Sequence, residues 1–398
     1  MSGTRASNQA KETRVCEIYP GVGPPVELMQ QRATRTCEVI RQRGQQVDLV
    51  YFDPPFAANR RFDWSIRVVH DDGEETVVPR RGYDDRWESF QSYLAFMREH
   101  LLALRDILSP EGSLLLHCDH SAAPYLAILC DELFGMGDRL SQGAAPGFRN
   151  ELIWSYGLGG SSARSYPKKH DTILWYSMGA TWYFDPPMVP ATSLMMAGKL
   201  KKAPDVLQVP SINNRALERS GYPTQKPLAL LEQLVRAHCP PEGLVFDPMC
   251  GSGTTAVAAA RTGRRCVVSD ASRDAIRVAS ARLIDEAFAV ELTQTYEGSW
   301  QPADPTATHH APSTQPFWFM AWGRHKQPGT LAISRARIAR TRESDGRMRD
   351  GWTCARIADE PGATHLILCD VAGHTRLIQA EAPTVSTREG GPGPASTA

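Results

Sequence analysis

Apolar residues fall at two spacings along most of the chain, and the two spacings alternate. Residues 47–52 (VDLVYF) form a short β-branched and aromatic run ending at Asp53-Pro54, which predicts a buried parallel strand. Residues 87–108 carry Phe90, Leu94, Met97, Leu101, Leu104 and Leu108 at three- and four-residue intervals, the stripe of an amphipathic helix, with Pro110-Glu111-Gly112 to stop it. A strand at 113–118 and a helix at 122–134 follow. The alternation lapses between about 135 and 221. There, Gly and Ser clusters (157–162), prolines and the basic run Lys199-Leu200-Lys201-Lys202 predict loops over a sheet that continues at 151–154 and 172–176. Order returns with a helix at 227–239, a strand at 243–246, a helix at 252–262, a strand at 265–269 and a helix at 273–288. Such alternation predicts an α/β, Rossmann-like parallel sheet with helices on both faces.

The remaining segments read differently. Residues 1–30 form a polar N-terminal extension, frayed and solvated over 1–13, and residues 31–290 the main domain. Residues 57–85 are irregular and polar, with a hairpin near Asp72-Gly73. Residues 291–315 read as a linker, 316–382 (FWFMAW, GTLAISRARI, THLILCDV) as a small β-rich module, and 383–398 as a disordered tail.

Composition narrows the function classes. No run approaches the roughly 20 apolar residues of a membrane span, so no membrane partner is expected. The nine cysteines contain no CxxC pair, which argues against a metal site or a disulfide framework and for a reduced, cytoplasmic setting. A net charge of zero argues against strong non-specific nucleic-acid binding but leaves room for local basic patches.

Two segments carry candidate chemistry. Residues 244–255 read LVFDPMCGSGTT: a strand, a Gly-rich turn and the start of a helix. Asp247, Pro248, Cys250, Gly251, Ser252, Gly253, Thr254 and Thr255 form the candidate cofactor cradle, because glycines let backbone approach a ligand and a helix N-terminus offers free N–H groups. A second strand ends about twenty residues on at Asp270, placed to accept hydrogen bonds from both ribose hydroxyls. The spacing departs from GxGxxG and no Gly-Lys-Ser/Thr is present, which favours S-adenosylmethionine over a dinucleotide and argues against nucleotide hydrolysis.

The other segment is Asp53-Pro54-Pro55-Phe56. An exocyclic base amine is a poor nucleophile, because its lone pair is delocalised into the ring. Accepting its two N–H bonds, at the Asp53 carboxylate and the Pro54 carbonyl, would turn the lone pair toward a methyl donor. Consecutive prolines stiffen the backbone, and Phe56 offers a ring for stacking. No cysteine nucleophile is needed, and the base must leave the helical stack to reach such a site. A plain turn closing a strand is the alternative. Asp185-Pro186-Pro187-Met188 shares three of the four residues, lacks the aromatic one and is read as such a turn.

The order of motifs is DPPF, then Tyr222-Pro223-Thr224-Gln225-Lys226-Pro227, then Asp247-Pro248-Met249-Cys250-Gly251-Ser252-Gly253-Thr254-Thr255. In this order the chain resembles the β-group of bacterial and phage amino-methyltransferases acting on DNA. LLLHCDH at 114–120 and GRRCVVSD at 263–270 are similar to further strands of that family, and the resemblance covers about 47–283. It implies a class I methyltransferase sheet with circularly permuted motifs, S-adenosylmethionine as cofactor and double-stranded DNA as substrate. A cognate restriction endonuclease and a homodimer are candidate associations. It also implies that Thr224, Gln225 and Lys226 wall the methionine end of the cofactor, that Asp247, Gly251 and Gly253 hold its body, and that Asp270 holds the ribose.

Two departures stand out. Ile18 to Gly23 replaces the family's Gly-Asp-Asn turn, and the fourth catalytic residue is Phe where Tyr is commoner. Within the family, Asp at the first position is commoner in adenine-N6 enzymes, so adenine N6 is the expected target and cytosine N4 the alternative. RNA or protein methylation and an inactive DNA-binding homologue are the remaining readings. Target recognition is expected at 177–221, with Arg164, Lys168, Lys169, Lys199, Lys201, Lys202, Arg215 and Arg219 as candidate DNA contacts. The Arg-rich C-terminal module, opening on Phe317, Trp318, Phe319 and Trp322, is read as a DNA contact, a dimer interface or a small core. His117 and His120 are read as structural.

Overall fold

A computed structural model gives the architecture. It describes residues 12–297 apart from 20, 70–74, 81, 141–144, 158–162, 192–194, 196–197, 214–215, 217 and 287, and beyond 297 the backbone of strands between 317 and 379. The first half runs β1 (Glu12–Tyr19), β2 (Val22–Gln30), α1 (Ala33–Gln42), β3 (Val47–Phe52), β4 (Trp64–Val69), β5 (Glu75–Arg80), α2 (Phe90–Arg105), β6 (Leu108–Asp119) and α3 (Ala123–Phe134). Next come β7 (Gly147–Ser155), β8 (His170–Ser177), β9 (Met188–Pro190), β10 (Leu200–Lys202), β11 (Val206–Gln208), α4 (Leu228–His238), β12 (Leu244–Asp247), α5 (Thr254–Arg261), β13 (Arg265–Asp270), α6 (Arg273–Asp285) and β14 (Phe288–Glu297).

The main sheet has the order β1-β14-β2-β13-β12-β3-β6-β8-β7-β11. Neighbours from β14 through β6 are parallel, while β8 is antiparallel to both β6 and β7. Both faces are covered, so most buried positions of the central strands are apolar. In β3, Leu49 and Tyr51 join the core under α4, α5 and α6, whereas Val50 and Phe52 join the core under α1, α2 and α3. The predicted helix at 87–108 is shorter at both ends. Ser89 and Ser92 close its start with a capping box, and Leu108 already belongs to β6, which runs through Pro110 and Gly112.

Two boundaries differ from expectation. The expected polar extension, 1–30, supplies two strands of the main sheet. β2 lies between β13 and β14 with Val26, Leu28 and Met29 buried. Its apolar half is short and follows Gly23-Pro24-Pro25, so its partners, more than 200 residues away, reveal it better than its own composition. Likewise, residues 288–297, expected at a helix end and in the linker, form β14, where Val290 and Leu292 alternate into the core and β1 pairs along the strand. Residues 1–11, the rest of the linker and the tail 383–398 lie outside the described residues.

The variable region contributes the β9–β10 hairpin and β11 at the sheet edge. β4 and β5 pair as expected for a hairpin, although the turn at Asp72-Gly73 lies outside the described residues. The C-terminal strands are β15 (Phe317–Arg324), β16 (Leu331–Arg335), β17 (Ile338–Arg342), β18 (Met348–Thr353), β19 (Ala363–Asp370) and β20 (Thr375–Gln379). Four of them form the sheet β16-β15-β19-β20, and β17-β18 join β4-β5. Among the described residues, no helix is long and apolar enough to cross a membrane.

Candidate active site

β12 and β3 are parallel neighbours from which the sheet continues in opposite directions, through β13 on one side and β6 on the other. Such a reversal leaves a crevice beyond the C-terminal strand ends. Asp53 follows β3, Asp247 ends β12 and Asp270 ends β13, and all three face one cavity of about 900 Å³. Pro54, Pro55, Phe56, Thr224, Gln225, Lys226, Pro248, Cys250, Gly251, Ser252, Thr254 and Thr255 line the same cavity.

The Asp53-Pro54-Pro55-Phe56 loop is held by a residue with no signal in the sequence. Asp85 is fully buried, and its carboxylate accepts the backbone N–H groups of Phe56, Ala57 and Ala58 at 3.2, 3.0 and 2.8 Å and the Trp87 indole N–H at 2.9 Å. Those bonds offset a costly backbone. Ala57 and Asn59 sit in the left-handed region at φ 59° and 53°, which non-glycine residues rarely adopt.

Lys226 lines the cavity shared with the cradle and also reaches Asp53. Its Nζ donates to both Asp53 oxygens, at 2.7 and 2.6 Å, and lies 5.1 Å from the centre of the Phe56 ring. The lysine therefore ties the second motif to the Asp53 carboxylate. Phe56 also stacks on buried His117, with ring centres 5.7 Å apart. His117 takes part in hydrogen bonds to the Tyr51 hydroxyl at 2.7 Å and Asp171 at 3.3 Å. His120 is hydrogen-bonded to the neighbouring Ser121 and does not line the cavity. Gln225 braces its own loop: its carbonyl oxygen accepts from the Ser220 N–H and hydroxyl, and its amide donates to the Glu218 carbonyl.

In the cradle, glycine serves two purposes. Gly251 (φ 50°) brings backbone to the cavity, and a side chain there would meet the Tyr222 ring at 3.1 Å. Gly253 (φ 74°) is not a lining residue. A side chain there would strike Ala279 of α6 at 2.4 Å, so its role is close helix packing. Arg282 of α6 pins the turn, donating to the Ser252 carbonyl at 2.8 Å and the Thr254 hydroxyl at 2.9 Å. The Asp270 carboxylate accepts N–H bonds from Gly251 at 3.0 Å and Ser272 at 2.7 Å. Burial pushes its pKa up to about 6 against those bonds. Burial also pushes Asp247 up to about 7, opposed by Thr255 and reinforced by the charge of Asp53.

Asp185 is exposed and does not line the cavity, in keeping with its reading as a turn. None of the described candidate DNA contacts lines the cavity either. Arg164, Lys168, Lys199, Lys201 and Lys202 are exposed, Lys169 and Arg219 are half-buried, and Arg215 lies outside the described residues.

A family model described as DNA methylase matches residues 47–281. The type II methyltransferase M.ScaI of Streptomyces caespitosus is 34% identical over 301 residues, which cover 70% of this chain and 90% of that protein. M2.DpnII of Streptococcus pneumoniae is 26% identical over 251 residues, covering 61% and 84%. Among solved structures, an M1.HpyAVI–SAM complex matches with a TM-score of 0.46 at 19% identity, covering 65% of this chain and 98% of that one. The cytosine-N4-specific PvuII DNA methyltransferase matches with a TM-score of 0.46 at 15% identity, covering 66% and 86%. The matched segment 47–281 holds both halves of the cavity, from Asp53 to Asp270, and the chain belongs to the DNA methylase family of N6/N4 methyltransferases.

Proposed function

We propose that the protein transfers a methyl group from S-adenosylmethionine to the N6 amine of adenine in double-stranded DNA, as the site-specific modification enzyme of a restriction–modification system. The observation that carries this reading is that Asp53-Pro54-Pro55-Phe56 and the cradle from Asp247 to Asp270 line one cavity. The cradle suits the cofactor chemically. Asp270 offers acceptors for ribose hydroxyls, Gly251 allows close approach, and the carboxyls of Asp247 and Asp53 give the cavity the acidic character that a cationic ligand needs. When bound, S-adenosylmethionine supplies an electrophilic methyl group on a sulfonium centre.

The chain's own residues do the rest. Asp53 and the Pro54 carbonyl accept the two N–H bonds of the amine. Lys226 already holds both Asp53 oxygens, yet each carboxylate oxygen keeps a second lone pair for the incoming donor. Phe56 stacks on the base, backed by His117. Because Asp85 fixes the loop beforehand, little reorganisation is needed when the base arrives. Cys250 also lines the cavity, but burial drives its thiol pKa well above the ordinary value, so direct transfer fits better than a covalent intermediate. Asp53 in the first position of the tetrapeptide supports adenine. In this reading the enzyme works in the cytoplasm, on DNA that a cognate endonuclease would otherwise cut.

The test is incubation of the purified protein with methyl-tritiated S-adenosylmethionine and unmodified bacterial DNA, followed by nucleoside separation. Label is expected in N6-methyladenosine of the deoxy series. Label in N4-methylcytosine alone would overturn the adenine assignment. Cofactor binding without transfer to any DNA would overturn the enzymatic one.

A further inference from the structure

The cavity reaches past the catalytic tetrapeptide to a wall built by β7 and β8. Trp154, Tyr156 just beyond β7, and Asp171 line it. Trp154 is buried, and its indole N–H donates to the Val209 carbonyl at 2.7 Å. Its ring meets Tyr156 edge-on at 5.0 Å and His117 at 5.7 Å. Since His117 stacks on Phe56, a chain of ring contacts runs from Phe56 through buried His117 and Trp154 to Tyr156, beside Asp171. The Asp171 side chain keeps 16% exposure, lies 3.3 Å from His117 Nε2, and accepts from the Tyr156 hydroxyl at 3.5 Å.

The hydrogen-bond directions follow from the charges. Burial pulls the Asp171 carboxyl upward, but the His117 bond and the nearby Lys226 charge outweigh it and leave its pKa below the usual carboxylate value. Asp171 is therefore an acceptor only, and the shared proton sits on His117 Nε2. Burial and the nearby Lys226 charge lower the His117 pKa, so the ring is neutral and its bare Nδ1 accepts the Tyr51 hydroxyl proton. The wall thus turns a carboxylate's lone pairs toward the cavity, with no donor of its own pointed there by this chain of bonds.

We propose that Tyr156 and Asp171 form the base-selecting wall of the target pocket, with Tyr156 packing on the flipped base and Asp171 excluding bases that carry a carbonyl on the ring edge beside the amine. Two ring positions from its amine, cytosine presents a carbonyl oxygen, where adenine presents a C–H. A carboxylate repels the former and tolerates the latter, which is discrimination by an unfavourable contact. The inference rests on the adenine reading above.

The experiment compares wild type, Asp171→Asn, Tyr156→Phe and Tyr156→Ala on unmodified plasmid DNA. Readouts are nucleoside mass spectrometry, DNA KM, calorimetric S-adenosylmethionine affinity and thermal melting. Asp171→Asn, which can donate a hydrogen bond, is expected to raise the ratio of N4-methylcytosine to N6-methyladenine about tenfold. Tyr156→Ala is expected to raise DNA KM about tenfold through lost stacking, with Tyr156→Phe close to wild type. Cofactor affinity should stay within about twofold throughout. An unchanged product ratio in folded Asp171→Asn, or an unchanged KM in Tyr156→Ala, overturns the inference. Loss of cofactor affinity in step with DNA affinity overturns it too, by assigning the wall to the cofactor. The Tyr156 pair keeps the inference refutable if Asp171→Asn fails to fold. A wild-type enzyme making only N4-methylcytosine overturns the adenine reading instead, independently of the variants.

Discussion

The chain carries Asp-Pro-Pro twice, at Asp53 and at Asp185. At the first, three following backbone N–H groups converge on Asp85 and the aspartate itself meets Lys226. At the second, the Asp185 N–H donates to the Ala237 carbonyl at 2.9 Å, and the Pro187 carbonyl accepts from Ala203 at 2.7 Å. Phe184 beside it packs on Trp175, with ring centres 4.9 Å apart. The prolines stiffen both segments alike. The difference is that one aspartate ends a central strand at the crevice, where partners from distant segments reach it, whereas the other crosses the end of α4 in solvent. A short motif supplies stiffness; its surroundings supply chemistry.

The largest expected contrast is direct. Asp53→Ala should lower the transfer rate by about a thousandfold or more while cofactor affinity stays within about threefold, and Asp185→Ala should stay near wild type in both. Single-turnover labelling and calorimetry read the two quantities. Similar losses from both substitutions would erase the distinction. Next comes Asp85→Ala, which leaves four donors without their acceptor. It should cost about 3 kcal/mol of stability by denaturant titration, and transfer should fall about a hundredfold. Normal transfer in a folded variant would show that the loop needs no such clamp.

Lys226→Met sharpens the comparison further. If the lysine serves Asp53, the transfer rate falls about tenfold or more and cofactor affinity barely moves; a wall for the methionine end would give the reverse. The smallest effect is on pH. Burial raises Asp247 to about 7 and Asp270 to about 6, so between the ordinary carboxylate value of 3.8 and those values the folded chain holds protons that the unfolded chain has released. Stability from these two groups is therefore present in full below about 4 and is lost as pH rises through 6 and 7. Without ligand, the thermal midpoint should fall by a few degrees from about pH 5 to 8, and Asp247→Asn should flatten that slope. Cofactor affinity should rise over the same interval, because the ionised carboxylates suit a cation. An opposite slope in the wild type, left unchanged by the substitution, would rule out this account.

Much of the site was legible because its motifs sit at strand ends. VDLVYF before Asp53, LVFD into the Gly-rich turn and CVVSD ending at Asp270 each announce a buried strand, and parallel strands deliver such ends to one side. Asp85 was not legible. It lies in a run of charged residues with no periodicity, and its significance comes only from three N–H groups about thirty residues earlier. Gly253 shows a subtler gap. The sequence places it in the cofactor cradle, but a side chain there meets helix α6, which only the fold brings opposite.

The sequence by itself determined the alternating α/β framework, the stiff Asp53 tetrapeptide and the cradle from Asp247 to Asp270, because strand and helix periodicity and turn chemistry are local properties of the chain. Tertiary structure alone decided that β2 and β14 belong to the main sheet, that Lys226 meets Asp53, that Asp85 holds the loop, and that Trp154, Tyr156 and Asp171 complete the cavity. Each of those joins residues far apart in sequence, and such pairings are selected by which buried groups must find partners once the sheet has closed around them.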